Sequence, residues 1–226
     1  MAFLCVICHS ELKRVDTTAV CSFCNKETPA RYLCVNGHHI CEDCQLADWP
    51  QVVERVCEGS RDTDPSRIAN LIMKHPMATM HGPQHHIIVA PVFLSALRNV
   101  DIRPLNPGRL SSAIERTRDI PLGACGTRGE CGAATSVGAL VSILTGASFM
   151  KDKERSLTLQ ATAETLMAIA QAGGPRCCKQ SIYLALETAS AFLNKELAII
   201  LPVDPHCEFS ARNKECKKER CKYYGT

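Results

Sequence analysis

The sequence predicts a mainly α-helical protein with a small, cysteine-rich module at its N-terminus. Three observations support this fold class. Residues 1–48 are rich in turns and in paired cysteines. Most of the later chain has apolar residues at helical spacing between clear start and stop positions. Few later segments alternate between apolar and polar residues as a strand does.

Composition and length narrow the class of protein. The chain has 226 residues, of which 46 % are hydrophobic and 15 are cysteine. No run approaches the ~18 apolar residues of a membrane span, and the start, MAFLCVICHS, lacks the features of a signal peptide. We therefore expect a cytoplasmic protein that forms one or two domains. Thiols stay reduced there, so cysteines at this density indicate metal binding rather than disulfides.

The chain divides into three predicted parts. Residues 1–48 form the cysteine-rich module, 49–205 a helical domain, and 206–226 a basic tail that contains cysteines. The last 20 residues hold six Lys or Arg and three Glu, which accounts for the net charge of +3. A basic tail can bind nucleic acid, but this one is too short and mixed for us to expect a nucleic-acid partner.

The helices follow from their boundaries. Asp64 is a good N-cap, Pro65 suits the first helical position, and Pro76 ends the helix at about His75. A loop over 76–86 follows. The small residues after Glu130 predict a central helix that neighbouring helices can approach closely. The remaining helices are predicted at 87–99, 108–118, 130–146, 151–172 and 176–198.

Four ligand pairs with the spacing of zinc sites lie in the N-terminal module. They are Cys5–Cys8, Cys21–Cys24, Cys34–His38 and Cys41–Cys44. Two ligands with two or three residues between them hold one side of a tetrahedral ion, so eight ligands complete two structural zinc sites. Such sites provide folding energy that a module of this size cannot obtain from a core. The pairs fit a sequential, ribbon-like order or the cross-brace of RING-type modules, and His39 is an alternative to His38.

A second set of cysteines is more widely spaced. Its members are Cys125, Cys131, Cys177, Cys178, Cys207, Cys216 and Cys221. Thiolates gathered from distant segments suit an iron–sulfur cluster, and nearby glycines let backbone N–H groups reach cluster sulfides. A third zinc site and unligated or redox-active thiols are the alternatives.

Four motifs identify a resemblance over essentially the whole chain. MHGPxHH, GxCGxxGxCGAA, GGPRCCK and CxFSxxNKECxxxxC closely resemble an uncharacterised prokaryotic family, a domain of unknown function that is sometimes attached to methyltransferases. This resemblance implies no established activity.

The helical part also resembles the catalytic domain of iron–sulfur L-serine dehydratases and cysteine desulfidases. The stretches 82-GPQHHIIVAP-91 and 130-ECGAATSVGALVSILTG-146, followed by Cys177-Cys178, have a similar order and spacing over about 100 residues. The chain departs from those enzymes in two ways. Gln84-His85-His86 replaces their serine cluster, and Thr188 and Ala189 lie where a further cysteine is expected.

This second resemblance implies an enzyme with a [4Fe–4S] cluster that acts by elimination on a small hydroxy- or thiol-bearing acid. Cys131, Cys178 and one or more tail cysteines would hold the cluster and leave one iron open as a Lewis acid. The candidate catalytic residues are His81, His85 and His86. The candidate substrate-binding residues are Gly82, Gln84, Arg128 and Lys179.

Two other interpretations of these residues stay open. The histidines can form a hydrogen-bonding network that fixes the loop, or an N/S metal site with Cys57. The whole protein can also be a non-catalytic metal- or sulfur-handling protein whose zinc module docks a partner such as a methyltransferase.

Overall fold

The computed structural model describes residues 3–102 and 107–225, and within these ranges the protein is mainly helical. The predicted fold class is confirmed. Strands β1 (Leu12–Val20) and β2 (Glu27–Cys34) form one antiparallel hairpin in the N-terminal module. The helices of the described residues are α1 (Glu42–Leu46), α2 (Trp49–Gly59), α3 (Pro65–Lys74), α4 (Val89–Asn99), α5 (Pro107–Glu115), α6 (Ala124–Thr127), α7 (Gly132–Thr145), α8 (Asp152–Ala172) and α9 (Cys178–Leu197).

Six of these helices were predicted, and their ends differ by at most three residues. The Asp64 side chain accepts a hydrogen bond from the Ser66 amide at 2.8 Å and caps α3, as the sequence indicates. The helix predicted at 87–99 begins later, because 83–87 forms a 3₁₀ turn. Helix α2 begins with a capping box, in which Asp48 and Gln51 exchange hydrogen bonds.

Helices α4, α7 and α9 form the centre of the helical core. Nine of the eleven residues of α4 are buried, and α7 is buried along most of its length. The small residues of α7 allow close packing. A Cβ atom on Gly138 would lie 2.1 Å from the Thr162 hydroxyl of α8. None of the described helices combines the length and hydrophobicity that a bilayer crossing requires.

The tail from residue 206 folds against the helical core. It contains two short 3₁₀ turns, Ser210–Arg212 and Lys218–Arg220. The Asn70 side chain of α3 donates to the His206 carbonyl at 2.9 Å and accepts from the Tyr183 hydroxyl at 2.7 Å. The Tyr223 ring packs on Tyr183, with centroids 5.1 Å apart. These contacts place the tail cysteines beside the start of α9.

Candidate metal centres

Two similar tight turns hold the first two cysteine pairs in position. The amides of His9 and Asn25 donate to the carbonyls of Cys5 and Cys21 at 2.8 and 2.9 Å. Both His9 and Asn25 have φ of 59°, in the left-handed region that closes each turn. The hairpin then brings these turns to the third and fourth ligand pairs.

The distal quartet consists of Cys5, Cys8, Cys34 and His38, whose ligand atoms all lie within 4.8 Å of one another. His38 Nδ1 lies 3.3 Å from Cys8 Sγ and 3.4 Å from Cys34 Sγ. Hydrogen bonds from Ser10 and Asn36 lower the pKa of the Cys8 thiol to about 5. The quartet therefore contains a thiolate at neutral pH, which is the form that binds metal.

The proximal quartet consists of Cys21, Cys24, Cys41 and Cys44, all buried and within the same distance limit. The Cys24 and Cys41 sulfurs are 3.7 Å apart. A hydrogen bond from Cys44 lowers the pKa of Cys21 to about 4. The first pair joins the third and the second joins the fourth, so the module is a cross-brace with two quartets compatible with metal binding. His39 lies outside both quartets, and its Nε2 lies 3.0 Å from the Thr28 hydroxyl.

The proximal quartet is built into the helical core. Its four cysteines belong to one buried cluster with α2, α3 and α4. His75 Nε2 donates to the Cys44 carbonyl at 3.0 Å, and the His75 ring packs edge-on against Phe23. Gly59 of α2 lies so close that a Cβ atom would be 2.1 Å from the Cys24 carbonyl. The three-part division of the chain stays a prediction, although this quartet shares the helical core.

The second set of cysteines is divided between two places. The tail cavity is lined by four of them, which we call the tail-cavity cysteines: Cys177, Cys207, Cys216 and Cys221. Among the described residues, only the two N-terminal quartets bring three or more ligand atoms within 4.8 Å of one another. The tail-cavity cysteines therefore surround a shared space instead of meeting at one point.

The walls of the tail cavity are aromatic and cationic. Tyr183, Phe209 and Tyr223 provide apolar surface. Lys179 and Lys217 also line the cavity and are 1 % and 7 % exposed. In the described parts of the chain, neither lysine forms an ion pair with a carboxylate.

Backbone carbonyls and a histidine hold the two lysines. Lys217 Nζ donates to the carbonyls of Ala172 and Gly173 at 2.8 and 2.7 Å. The adjacent Gly174 has φ of +79°, and a Cβ there would lie 2.4 Å from Lys217 Cδ, so this turn requires glycine. Lys179 Nζ donates to His85 Nε2 at 2.7 Å and to the Thr79 carbonyl at 3.0 Å. Burial lowers the pKa of Lys179 to about 8.

The remaining three members of the set, Cys125, Cys131 and Cys178, are called the loop cysteines. Cys131 is the N-cap of α7 and Cys178 is the first residue of α9, while Cys125 is exposed in the glycine-rich segment. Burial raises the pKa of Cys131 and Cys178, and the Cys131 and Cys125 thiols raise that of Cys178 further. Adjacent Cys177 and Cys178 thus belong to different groups.

The three predicted catalytic histidines have different environments. His85 is buried, donates from Nδ1 to the Gly82 carbonyl at 3.0 Å and accepts from Lys179 at Nε2. Both of its ring nitrogens are therefore used. His86 Nδ1 donates to the Ile120 carbonyl at 3.1 Å, and its ring lies against Gly132 at the start of α7. His81 Nε2 lies 3.2 Å from Asn213 Oδ1, whereas its Nδ1 is buried and has no partner among the described residues.

The predicted substrate-binding residues are also spread out. Arg128 is exposed, Lys179 is buried, and the Gln84 side chain bonds to the Thr79 hydroxyl at 3.1 Å. A Cβ atom on Gly82 would lie 2.3 Å from Gln84 Oε1, so Gly82 shapes the turn.

Cys57 and Arg176 belong to neither group of the second set. Cys57 is a buried residue of α2, and burial raises its pKa. Sequence reasoning missed Arg176, whose guanidinium pairs with Glu215 of the tail at 3.5 Å. Its position between Gly-Gly-Pro and Cys-Cys is the pattern that could have drawn attention to it.

A comparison with family models places this arrangement in a known family. DUF5714, described as a family of unknown function, matches residues 53–224, which is more than half of the chain. The chain belongs to this family. The predicted resemblance to an uncharacterised cysteine-rich family is thus confirmed, while the attachment to methyltransferases and the resemblance to dehydratases stay predictions.

The matched residues include the second set of cysteines but not the two quartets. The tail cavity, the loop cysteines and the histidine turn lie within the residues matched to DUF5714, whereas both quartets precede them. No curated protein matches the chain, and no solved structure matches it.

Proposed function

We propose that the protein is an iron–sulfur protein with zinc in both quartets and a [4Fe–4S] cluster held by the tail-cavity cysteines. The observation that carries the proposal is that four cysteines line one cavity without converging on a point. A tetrahedral zinc ion with Zn–S bonds of ~2.3 Å needs sulfurs about 3.8 Å apart. The quartets have that spacing, with sulfurs 3.7 Å apart in each. A four-iron cube needs wider spacing.

The lining of the tail cavity supports an inorganic group that is held by sulfur. Four cysteines reach the cavity, one from the start of α9 and three from the tail. A cluster bonded to all four thiolates would have no open iron.

Charge supports the same assignment. A buried ammonium group is costly unless an opposite charge lies nearby. Lys179 and Lys217 line the tail cavity, and we identify no carboxylate paired with either one in the described residues. An iron–sulfur cluster with four thiolate ligands carries negative charge and would neutralise both lysines.

The test is anaerobic purification with iron, sulfide and zinc analysis and a visible spectrum. We expect about four irons, four sulfides and two zincs for the tail cavity and the quartets together. The Cys207→Ser/Cys216→Ser double variant should lose iron and sulfide but retain zinc. Cys57→Ala, at a buried cysteine outside every group, is the matched control and should retain both metals. About three zincs and no sulfide after anaerobic reconstitution would overturn the proposal.

The loop cysteines support a second candidate function, an iron–sulfur lyase that acts on a small hydroxy- or thiol-bearing acid. Cys131 and Cys178 lie at the adjoining starts of α7 and α9, against the turn that carries the histidines. Three protein thiolates would leave one iron open, which supplies Lewis-acid chemistry for an elimination.

This candidate predicts a second cluster. Iron should rise to about eight per chain, and L-serine or L-cysteine should yield a keto acid. Cys131→Ser/Cys178→Ser should halve the iron and abolish the product. Iron at four per chain, with no keto acid, would rule this candidate out.

The N-terminal module supports docking of a partner protein. The Phe3 and Tyr32 rings are exposed and 6.3 Å apart, and Val35 is exposed at the end of the hairpin. Exposed apolar patches are typical of interaction sites. Since the sequence resembles proteins attached to methyltransferases, we propose a methyltransferase as the partner. Val35→Lys should abolish binding to the methyltransferase domain of such a protein in size-exclusion chromatography, and binding that survives this change would contradict the docking surface.

A further inference from the structure

Three motifs of the sequence meet at His81. His81 belongs to MHGP, Arg176 to GGPRCC, and Asn213 and Glu215 to NKEC. His81 Nε2 lies 3.2 Å from Asn213 Oδ1 and 3.8 Å from a Glu215 carboxylate oxygen. Glu215 is in turn 3.5 Å from Arg176 Nε. Residues that are about 130 positions apart in sequence thus form one polar group beside the tail cavity.

The hydrogen bonds of Asn213 determine which nitrogen of His81 carries the proton. Asn213 Oδ1 accepts from the Glu215 amide at 3.0 Å, so this atom is the oxygen of the side chain. Asn213 Nδ2 is directed at Cys177 Sγ, 3.7 Å away. The His81 nitrogen that faces Oδ1 must therefore be a donor. Neutral His81 has its proton on Nε2 and a free lone pair on Nδ1.

The free nitrogen is in an unusual position. The His81 side chain is 8 % exposed, and its buried Nδ1 has no hydrogen-bond partner in the described residues. Buried polar atoms nearly always have a partner, and each exception needs an explanation. His85, which is buried and bonded at both ring nitrogens, shows that the same segment can satisfy a buried imidazole fully.

His81 has the surroundings of a histidine that binds a ligand, since one ring nitrogen is held by the protein and the other is free. Histidines that contact metals or substrates commonly donate their other N–H to an oxygen, which fixes the tautomer and the ring orientation. Asn213 provides that oxygen, and Glu215 adds negative charge behind it. The Arg176 guanidinium is half exposed, so it can contact the carboxylate of a molecule that enters from solvent.

We propose that His81 and Arg176 form a binding site for a small acid that carries a hydroxyl or thiol group. His81 Nδ1 accepts a hydrogen bond from the hydroxyl or thiol, and Arg176 binds the carboxylate. Asn213 and Glu215 are positioning residues that hold the His81 ring. The choice of substrate class rests on the lyase function proposed above, but binding itself does not require elimination to occur.

The test is nuclear magnetic resonance of the metal-loaded full chain labelled with ¹⁵N-histidine. We expect His81 to be protonated on Nε2, and titration with L-serine or L-cysteine should shift its Nδ1 resonance until it saturates. L-alanine, which lacks the hydroxyl and thiol, should bind at least about tenfold more weakly, the loss of one hydrogen bond. Arg176→Gln should weaken L-serine binding about tenfold without changing the tautomer.

The controls separate this inference from the lyase function. Arg118→Gln removes an exposed arginine paired with Glu115 and should bind L-serine as the unmodified chain does. Asn213→Ala should mix the two His81 tautomers and weaken binding. Saturable shifts without keto acid would support the site and remove the lyase function. Protonation on Nδ1, absence of any shift, or equal binding of L-alanine would overturn the site, even if elimination were observed.

Discussion

The N-terminal quartets and the tail cavity use cysteine in two different ways. In each quartet, ligand atoms from the hairpin and from the segments that flank it lie within 4.8 Å of one another. In the tail cavity, Cys177 at the start of α9 faces three cysteines of the tail across shared space. The first arrangement suits one ion, and the second suits a larger inorganic group.

The difference shows where the information for each centre lies in the sequence. A quartet depends on ligand pairs with two or three residues between their members, so local turns create most of its geometry. The tail cavity depends on the packing of Tyr183 and Asn70 against the tail. Its centre can form only when the helical core is already in place.

The largest expected effect is the difference in stability between two cysteine variants, one from each region. Cys41→Ser should remove zinc from the proximal quartet and unfold much of the chain, a loss of about 5 kcal/mol or more, because metal binding is folding energy there. Cys216→Ser should remove iron but leave the helices intact. Far-UV circular dichroism during heating, with metal analysis, measures both.

Cys8→Ser is the control variant, because Cys8 belongs to the distal quartet, which is less buried than the proximal one. This change should destabilise the hairpin more than the helices. Similar melting of the Cys41 and Cys216 variants would contradict the comparison.

The next effect concerns the charge in the tail cavity. Lys217→Met removes a buried cation that bonds to the Ala172 and Gly173 carbonyls, and should destabilise the protein by about 3 kcal/mol. Iron content should also fall, because the proposed cluster would lose a neighbouring positive charge. Urea unfolding and iron analysis check the two parts. Lys214→Met, at an exposed position of the tail, should change neither quantity. Unchanged iron in the Lys217 variant would argue against a charge role.

A smaller effect is expected where the histidine turn meets α7. In Gly132→Ala the new Cβ would lie 2.2 Å from His86 Cγ, so the turn must move, at about 2 kcal/mol. Gly126→Ala meets no atom within 4 Å and is the matched control. The midpoint of urea unfolding compares the two. Equal midpoints would mean that the turn is free to shift, and that it does not hold His86 rigidly beside the loop cysteines.

The smallest effect tests how the N-terminal region connects to the histidine turn. Trp49 Nε1 donates to the Gln84 carbonyl at 2.7 Å. Trp49→Phe loses this bond and should destabilise the protein by about 1 kcal/mol, measured by urea unfolding followed by circular dichroism. A loss above that of Gly132→Ala would show that the connection matters more than the packing of the turn.

The sequence predicted those features that depend on local pattern. Asp, Pro and Gly boundaries, together with apolar spacing, located six helices, and ligand spacing located both quartets. It left the pairing order open, because sequential and cross-braced modules share the same spacing. It also could not separate Cys177 from Cys178, since the direction of each thiol depends on how α9 begins against the tail. His81, His85 and His86 looked equivalent because their hydrogen-bond partners lie up to 132 residues away.

The order of the cysteines along the chain has a consequence for biosynthesis. All ligands of both quartets are available when residue 44 has left the ribosome, so a metal ion can be bound while the helical part is still being made. The tail cavity lacks its last cysteine until Cys221 emerges, 177 residues later. Under the proposed assignment, iron and sulfide are therefore needed only after the helical core has been synthesised. A cell short of iron would then accumulate a folded chain with filled quartets and an incomplete tail cavity.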